Sequence, residues 1–471
     1  MHMKCTLRCL GTALPRAVLI AGALAGGVVG AARADTDRLV VTAPRYDQEY
    51  PAIDYSGPAT HNRVWRMQQK LDSGELKLQW EPRGGYLRSL LKALEIDEDS
   101  QVLVFSRTSL QVDRISGTTP RAIYFNDDTY VGWVQGSNLI EFTVIDANAG
   151  VVFFGLDNHP PGGSGTAPRM EREGGRCLTC HDTYSMMGGG VPRVLAMSSP
   201  VIDPADTRTY SSASDVDDRT PVSQRWGGWY VTGKSGAQKH FGNLPLREDP
   251  TSAHLRTLAH HDIMSVAGYF DTSGYLTDQS DIVALLVLEH QAFVQNMITR
   301  ASYKVRSVVE RDKGSATPRS WTDLDAREQQ QVRVIAEPLV RALFLADAAP
   351  FEDRIRGASG YAARFSALGP RDQQGRGLRQ LDLDGRLFRY PLSYLVYSEQ
   401  FNALPGYVQD YVGMRISEVL DGSDRNGIAQ KIPEADRAAI RQILADTRPA
   451  IGQRLRIPEA GHPPAQPAAS R

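Results

Sequence analysis

The residues with the clearest chemical spacing in this 471-residue chain form one short stretch, Cys177-Leu178-Thr179-Cys180-His181. Two thiols separated by two residues lie one helical turn apart, so both can add to the vinyl groups of one porphyrin. The imidazole that follows can then bind the porphyrin iron as an axial ligand. This C-x-x-C-H spacing is typical of covalent haem attachment. We therefore predict one covalent haem c, attached to Cys177 and Cys180, with His181 as the iron ligand.

The same thiols have two other possible uses. A structural zinc site needs four ligands, usually from two such pairs, and the only other cysteines are Cys5 and Cys9 near the N-terminus. A thioredoxin-like pair normally opens a helix after a strand of a βαβ unit, whereas two glycines precede Cys177 and the upstream pattern is antiparallel. Haem is favoured, and a thiol redox pair and a zinc site stay open as alternatives.

The N-terminus predicts export. Three basic residues precede an uncharged run over residues 17–32, and Ala32 and Ala34 supply the small residues that a signal peptidase reads. The run is shorter than the roughly 20 strongly apolar residues of a membrane-spanning helix. We expect a signal peptide cleaved after Ala34, a periplasmic or secreted protein, and no transmembrane segment in the mature chain. Covalent haem c is attached outside the cytoplasm, so export agrees with the motif.

Composition excludes other classes. The formal net charge is −1, and basic residues are interspersed with acidic ones, so no positive stripe exists to bind nucleic acid. A hydrophobic share of 41% excludes a mostly disordered chain. After cleavage only Cys177 and Cys180 remain, so the fold cannot depend on a disulfide framework.

Residues 177–181 resemble the haem-binding motif of the cytochrome c superfamily. The resemblance implies covalent haem, His181 as an axial ligand, and electron transfer to a redox partner protein that the sequence does not identify. One motif implies one haem. The rest of the chain is far longer than a small helical cytochrome, so two alternatives stay open. One is a haem-dependent periplasmic oxidoreductase, of the peroxidase or dehydrogenase type, with an open or exchangeable sixth iron site; the other is a haem-based sensor or binding module. Whether the protein is an enzyme is left open.

The sixth iron position separates these alternatives, because a protein ligand there favours electron transfer and an open site permits O₂ or peroxide chemistry. Three residues are candidates. Met197 has apolar neighbours, so its side chain could instead fill the hydrophobic core. His240 lies in a Gly-rich loop, and its alternative role is that of a solvent-exposed loop histidine. His290 lies in the apolar seam of a predicted helix, and its alternative role is that of a buried, hydrogen-bonded histidine.

The residue patterns around these candidate residues predict an α+β fold. It has a β-rich N-terminal domain, a loop-rich haem segment and a mainly helical C-terminal domain. The predicted boundaries are a signal peptide over 1–34, an extended arm over 35–60, a β-rich domain over 61–158, a haem-binding loop-rich segment over 159–250, a helical domain over 251–457 and a disordered tail over 458–471. We expect the arm to stay outside the core. We also expect haem to organise the loop-rich segment, which has few periodic apolar runs.

Periodicity gives the individual elements. Runs of β-branched and aromatic residues predict strands over 102–105, 122–125, 130–134, 139–145 and 151–156. Helical spacing predicts helices over 85–96, 251–268, 281–311 with Ser280 as the N-cap, 321–346 interrupted by Pro338, 404–420 and 434–445. A turn at Asp384-Gly385 predicts a hairpin over 378–390.

Overall fold

An antiparallel sheet in the N-terminal half and helices in the C-terminal half make up the computed structural model of the chain. It describes residues 50–106, 109–161, 168–182, 190–199, 213–243, 262–310 and 319–447. The predicted signal peptide, most of the predicted arm and the predicted C-terminal tail lie outside these ranges. The predicted α+β class is confirmed. All described residues belong to one compact unit, Val40–Arg471, and the predicted domain boundaries stay predictions.

The strands of the main sheet are β1 (Val102–Val104), β2 (Arg121–Phe125), β3 (Thr129–Val134), β4 (Leu139–Asp146), β5 (Gly150–Asp157), β6 (Met170–Glu173) and β9 (Trp229–Tyr230). Strands β7 (Met197–Ser198) and β8 (Ser214–Asp215) pair with each other in a separate sheet. The seven strands of the main sheet have the order β6-β5-β4-β3-β2-β1-β9, and every neighbouring pair is antiparallel. The five strands predicted from the sequence correspond to β1 to β5. Along β4, partly exposed residues alternate with buried ones over the first six positions. One sheet face is therefore core and part of the other remains open.

Both outer strands of this sheet come from the segment predicted to be rich in loops. There, β6 pairs with β5, and β9 pairs with β1. Trp226, Trp229 and Tyr230 are buried. Residues 213–243 of this segment therefore contribute side chains to the core of the molecule, and the expectation that haem organises the segment stays a prediction. Strands of two to four residues are too short to produce an alternating pattern that the sequence alone could reveal.

The last residues of the predicted arm are also part of the core. Tyr50, Ile53 and Tyr55 are buried, and the Tyr55 hydroxyl donates to the carbonyl of Val151 at 3.2 Å. The expectation that the arm stays outside the core is wrong for residues 50–60. Aromatic side chains in a non-periodic stretch can still fill a space beside the sheet.

The helices in the described ranges are α1 (Arg63–Asp72), α2 (Leu87–Ala93), α3 (Gly175–His181), α4 (Ile282–Val305), α5 (Ala326–Leu343), α6 (Tyr361–Ala367), α7 (Glu399–Asn402), α8 (Gly406–Asp421) and α9 (Glu434–Thr447). The sequence missed α1, which Asn62 caps by accepting from the Trp65 N–H. The predicted helix over 251–268 is wrong for residues 262–268, which form turns and a bridge; residues 251–261 lie outside the described ranges. Pro338 lies inside α5 without ending it. The predicted hairpin over 378–390 has a single isolated bridge, Leu381 to Phe388, and no regular strands.

Helix α4 is the longest helix of the described residues, and most of its residues are buried. Its N-cap is Asp281, which accepts from the N–H groups of Val283 and Ala284. The predicted cap, Ser280, instead joins β1 to β9: its hydroxyl accepts from the Leu103 N–H and donates to the Tyr230 carbonyl. Among the described residues, only the helix over Ile282–Val309 is long and apolar enough to cross a membrane, and it is mostly buried inside the protein.

Candidate haem-binding site

The C-x-x-C-H motif forms the short helix α3, which a single residue, Gly174, separates from strand β6. The pairing of β6 with β5 therefore places this helix beside the sheet. Leu178 is buried and anchors the helix, whereas Cys177 is partly buried and Cys180 is exposed. Both cysteines are free thiols. The two thiols are thus accessible, as covalent attachment of a large cofactor requires.

Cys177, Cys180 and His181 line one cleft, which contains about 730 Å³ of empty space including part of the open solvent. Most of the remaining lining comes from the sheet, and Ser109 and Leu110 add a loop. Two of the lining residues, Glu141 of β4 and Gly155 of β5, are directly opposed across neighbouring strands. The structure therefore brings Cys177, Cys180 and His181 together in one cleft beside the sheet.

The imidazole of His181 is oriented by a backbone carbonyl. Its Nδ1 lies 2.8 Å from the carbonyl oxygen of Arg193, and its ring packs against Phe153 with the ring centroids 4.6 Å apart. A carbonyl can only accept, so Nδ1 carries the proton and Nε2 carries a lone pair. Nε2 has no hydrogen-bond partner among the described residues. A metal-binding histidine typically has this arrangement, with one nitrogen fixed by a carbonyl and the other free for the metal.

The protonation state of His181 agrees with that role. Burial lowers the pKa of His181 to about 4, although the hydrogen bond to Arg193 opposes the shift. The imidazole is therefore neutral at physiological pH, which is the form that binds iron. The donor set of two thiols and a neutral imidazole fits a haem c.

The Cys177 thiol is less suited to disulfide exchange. Burial, together with the carboxylates of Glu173 and Glu141, raises the pKa of Cys177 to about 12. A cysteine that exchanges disulfides normally has a lowered pKa, because the thiolate is the nucleophile. A protonated thiol can still add across a vinyl group, with the sulfur on one carbon and the hydrogen on the other. This chemistry favours the haem interpretation over a thiol redox pair.

A zinc site finds less support in the arrangement of side chains. Within the described ranges, no group of three or more His, Cys, Asp or Glu side chains is placed to hold a metal ion. A structural zinc ion needs four such ligands. A haem iron would need only His181 from this set, since the porphyrin would supply four nitrogen donors of its own.

Arg121 and Glu141 are cleft residues that the sequence analysis missed. An Nη of Arg121 lies 3.2 Å from a carboxylate oxygen of Glu141, which also accepts from Gln111 at 2.8 Å. The Nε of Arg121 is buried without a partner. A Cβ on Gly132 would overlap this guanidinium, so the glycine provides its space. Their placement depends on strand register, which no local pattern in the sequence reveals.

The candidates for the sixth iron ligand lie elsewhere, because neither Met197 nor His240 lines the cleft. Met197 lies in the two-residue strand β7 (Met197–Ser198), and its carbonyl accepts from the Trp229 indole. His240 is buried, and its Nδ1 accepts from the Gly242 N–H at 3.0 Å. In the neutral ring the proton then lies on Nε2, so neither nitrogen offers iron a lone pair in this arrangement.

His290 is fully buried and has a partner on each nitrogen. Its Nδ1 lies 2.8 Å from Asp218 and its Nε2 lies 2.9 Å from the Ser393 hydroxyl. This geometry matches the buried, hydrogen-bonded role considered for it. The order Asp–His–Ser resembles a hydrolytic triad, but Ser393 is completely buried, so no substrate reaches its hydroxyl.

No family model, curated protein or solved structure matches the chain. The function must therefore be inferred from the chemistry of the site.

Proposed function

We propose that the protein is an exported monohaem c-type cytochrome that transfers electrons through haem bound covalently at Cys177 and Cys180. The observation that carries the proposal is His181, whose Nδ1 is fixed by a carbonyl and whose Nε2 has no partner in the described part of the chain. Two free thiols line the same open cleft. Haem would supply one-electron chemistry at its iron when bound.

Each residue has a distinct task in this proposal. The two thiols hold the porphyrin covalently, and His181 binds the iron. The carbonyl of Arg193 orients the imidazole, and Leu178 anchors the motif helix to the core. Arg121 offers a cation for an acidic group of the porphyrin, since guanidinium groups pair strongly with carboxylates.

The experiment is expression with the cytochrome c maturation machinery, followed by a denaturing gel stained for haem. We expect a stained band for the wild type and none for the Cys177→Ala, Cys180→Ala double variant. Thr179→Ala is the matched control, because it changes an exposed motif residue and keeps both thiols. A wild-type band without stain would refute the proposal. Export is tested in the same preparation by mass spectrometry, which should find a mature chain that begins at Asp35.

A haem oxidoreductase with an open sixth site is the second candidate. Its specific support is the lining of the cleft, which among described residues contains no methionine and no histidine besides His181, but does contain Arg121 and Glu141. An open iron beside an acid and a cation suits peroxide or O₂ chemistry. Visible spectra with and without CO distinguish the candidates. Six-coordinate iron without a CO shift supports the carrier, and a high-spin spectrum that shifts with CO supports the enzyme.

A further inference from the structure

Asn296 of helix α4 is hydrogen-bonded to the backbone of a segment that contacts the haem motif. Its side-chain oxygen accepts from the Val194 N–H at 2.8 Å, and its side-chain nitrogen donates to the Val194 carbonyl at 2.8 Å. One amide side chain thus satisfies both backbone groups of one residue. Asn296 itself does not line the cleft.

The bond from Val194 to Asn296 continues to His181 through a single peptide group. The Val194 N–H and the Arg193 carbonyl belong to the same planar peptide unit. On one side of that unit the N–H donates to Asn296, and on the other the carbonyl accepts from His181 Nδ1 at 2.8 Å. Hydrogen bonds in such a chain polarise one another. Asn296 therefore makes the Arg193 carbonyl a stronger acceptor for the imidazole.

Other contacts hold both ends of this series of hydrogen bonds from Asn296 to His181. The Arg193 N–H donates to the His181 carbonyl at 3.2 Å, so the two residues are bonded in both directions. The Arg193 guanidinium donates to Asp215 at 2.8 Å. Asn296 is held on the longest helix of the described chain, whose residues are nearly all buried. The acceptor for Nδ1 is thus held by a rigid part of the molecule.

We propose that Asn296 is a positioning residue for His181, acting through the Arg193–Val194 peptide group. It fixes the tautomer and direction of the imidazole and increases the basicity of Nε2, as the second hydrogen-bonding shell of a metal ligand does. The effect on iron rests on the proposed function. The effect on the imidazole does not, because the hydrogen-bond chain is complete without haem.

The test compares Asn296→Leu with the wild type and with Gln409→Leu. Gln409 is a matched control, since its buried amide donates to the carbonyls of Asn402 and Leu404 in the helical half. In full-length protein produced without haem, nitrogen NMR of the His181 ring should show one Nδ1–H tautomer in the wild type and control. The Asn296→Leu ring should show a mixture with the Nε2–H tautomer. Should this variant fail to fold, Asn296→Ser, which cannot reach both backbone groups, replaces it.

In haem-loaded protein, a weaker acceptor at Nδ1 leaves Nε2 a poorer donor to ferric iron. Asn296→Leu should then favour reduction at least tenfold, a rise of 59 mV in the one-electron midpoint potential. Unchanged ring signals in the Asn296 variants would overturn the inference, and so would changed ring signals with an unchanged potential. Wild-type protein that never carries haem would overturn the proposed function, while the ring signals would still decide the role of Asn296.

Discussion

Two histidines in this molecule have opposite surroundings. His181, in the cleft on the sheet, has one nitrogen fixed by a backbone carbonyl and the other without a partner in the described chain. His290, inside the helical half, has a side-chain partner on each nitrogen and no exposure. Buried polar atoms in proteins are almost always hydrogen-bonded. A histidine with an unused nitrogen beside an open cleft is therefore suited to a ligand, and a histidine with both nitrogens used is suited to the fold.

The surroundings of His290 add to this difference. The preceding residue, Glu289, accepts from Arg225 at 2.7 Å and from the Trp226 indole at 2.8 Å, and all three are buried. These bonds connect α4 to the segment over 213–243. The buried cluster of Glu289, His290 and Arg225 thus has a structural role, although these residue types are also common in active sites.

The largest expected effect is on stability, at His290. His290→Phe removes the hydrogen bond to two buried groups, the Asp218 carboxyl and the Ser393 hydroxyl, and leaving a buried polar group unsatisfied costs about 1–3 kcal/mol each. Urea unfolding should show the loss. His159→Ala is the control, because the His159 side chain is 56% exposed and its removal should change stability by less than about 0.5 kcal/mol. Equal stability of the two variants would contradict the structural role of His290.

The next effect is spectroscopic, at His181. In His181→Ala the haem should stay attached, because the thiols carry the covalent bonds, while the visible spectrum and the midpoint potential change. The free energy of unfolding should change by less than in His290→Phe. An unchanged spectrum would show that another residue is the axial ligand.

A third effect concerns pH and Glu289. Burial raises the pKa of Glu289 to about 7, although Arg225 opposes the shift. The folded state therefore holds this proton over a range in which the unfolded state has lost it. Stability from this group is fully present below about pH 4.5 and is lost as the pH rises through 7, by up to about 1.4 kcal/mol per pH unit.

Glu289→Gln removes this titration, so the difference in unfolding free energy between wild type and variant isolates it. His181 is present in both proteins, and its own titration cancels in that difference. We expect the wild type to lose stability relative to the variant between pH 4.5 and 7. A difference that is independent of pH would show that Glu289 is ionised throughout, paired with Arg225.

The smallest effect is a pattern of proteolysis. In the Cys177→Ala, Cys180→Ala variant, cleavage should concentrate around α3, where Leu178 is the one buried side chain of the helix. Residues 213–243 should resist, because they supply β9 and the buried Trp226. Limited proteolysis with mass spectrometry locates the cuts. Equal cleavage of both regions would show that the edge of the sheet depends on haem.

The sequence predicted long elements well and contacts between distant segments poorly. Strands β2 to β5 carry β-branched and aromatic residues between turn signals, so their types are visible locally. Strand β9 has only two residues, and its strand character comes from pairing with β1. The motif at Cys177 is equally local. In contrast, Ser393 is hydrogen-bonded to His290, 103 positions away, and Arg121 of β2 pairs with Glu141 of β4. Only the folded chain reveals these two contacts.

Gly132 has a consequence for how the cleft can vary among related sequences. Gly132 contributes no side chain to the cleft, yet any larger residue at position 132 would displace the guanidinium of Arg121, which lines the cleft. Because that guanidinium is the far end of a flexible side chain, the fold would tolerate the change by moving it away from Glu141. Substitution at position 132 on β3 would thus alter the electrostatic potential at the proposed haem site while leaving Cys177, Cys180 and His181 in place. The volume of one residue would then tune the potential of the proposed haem.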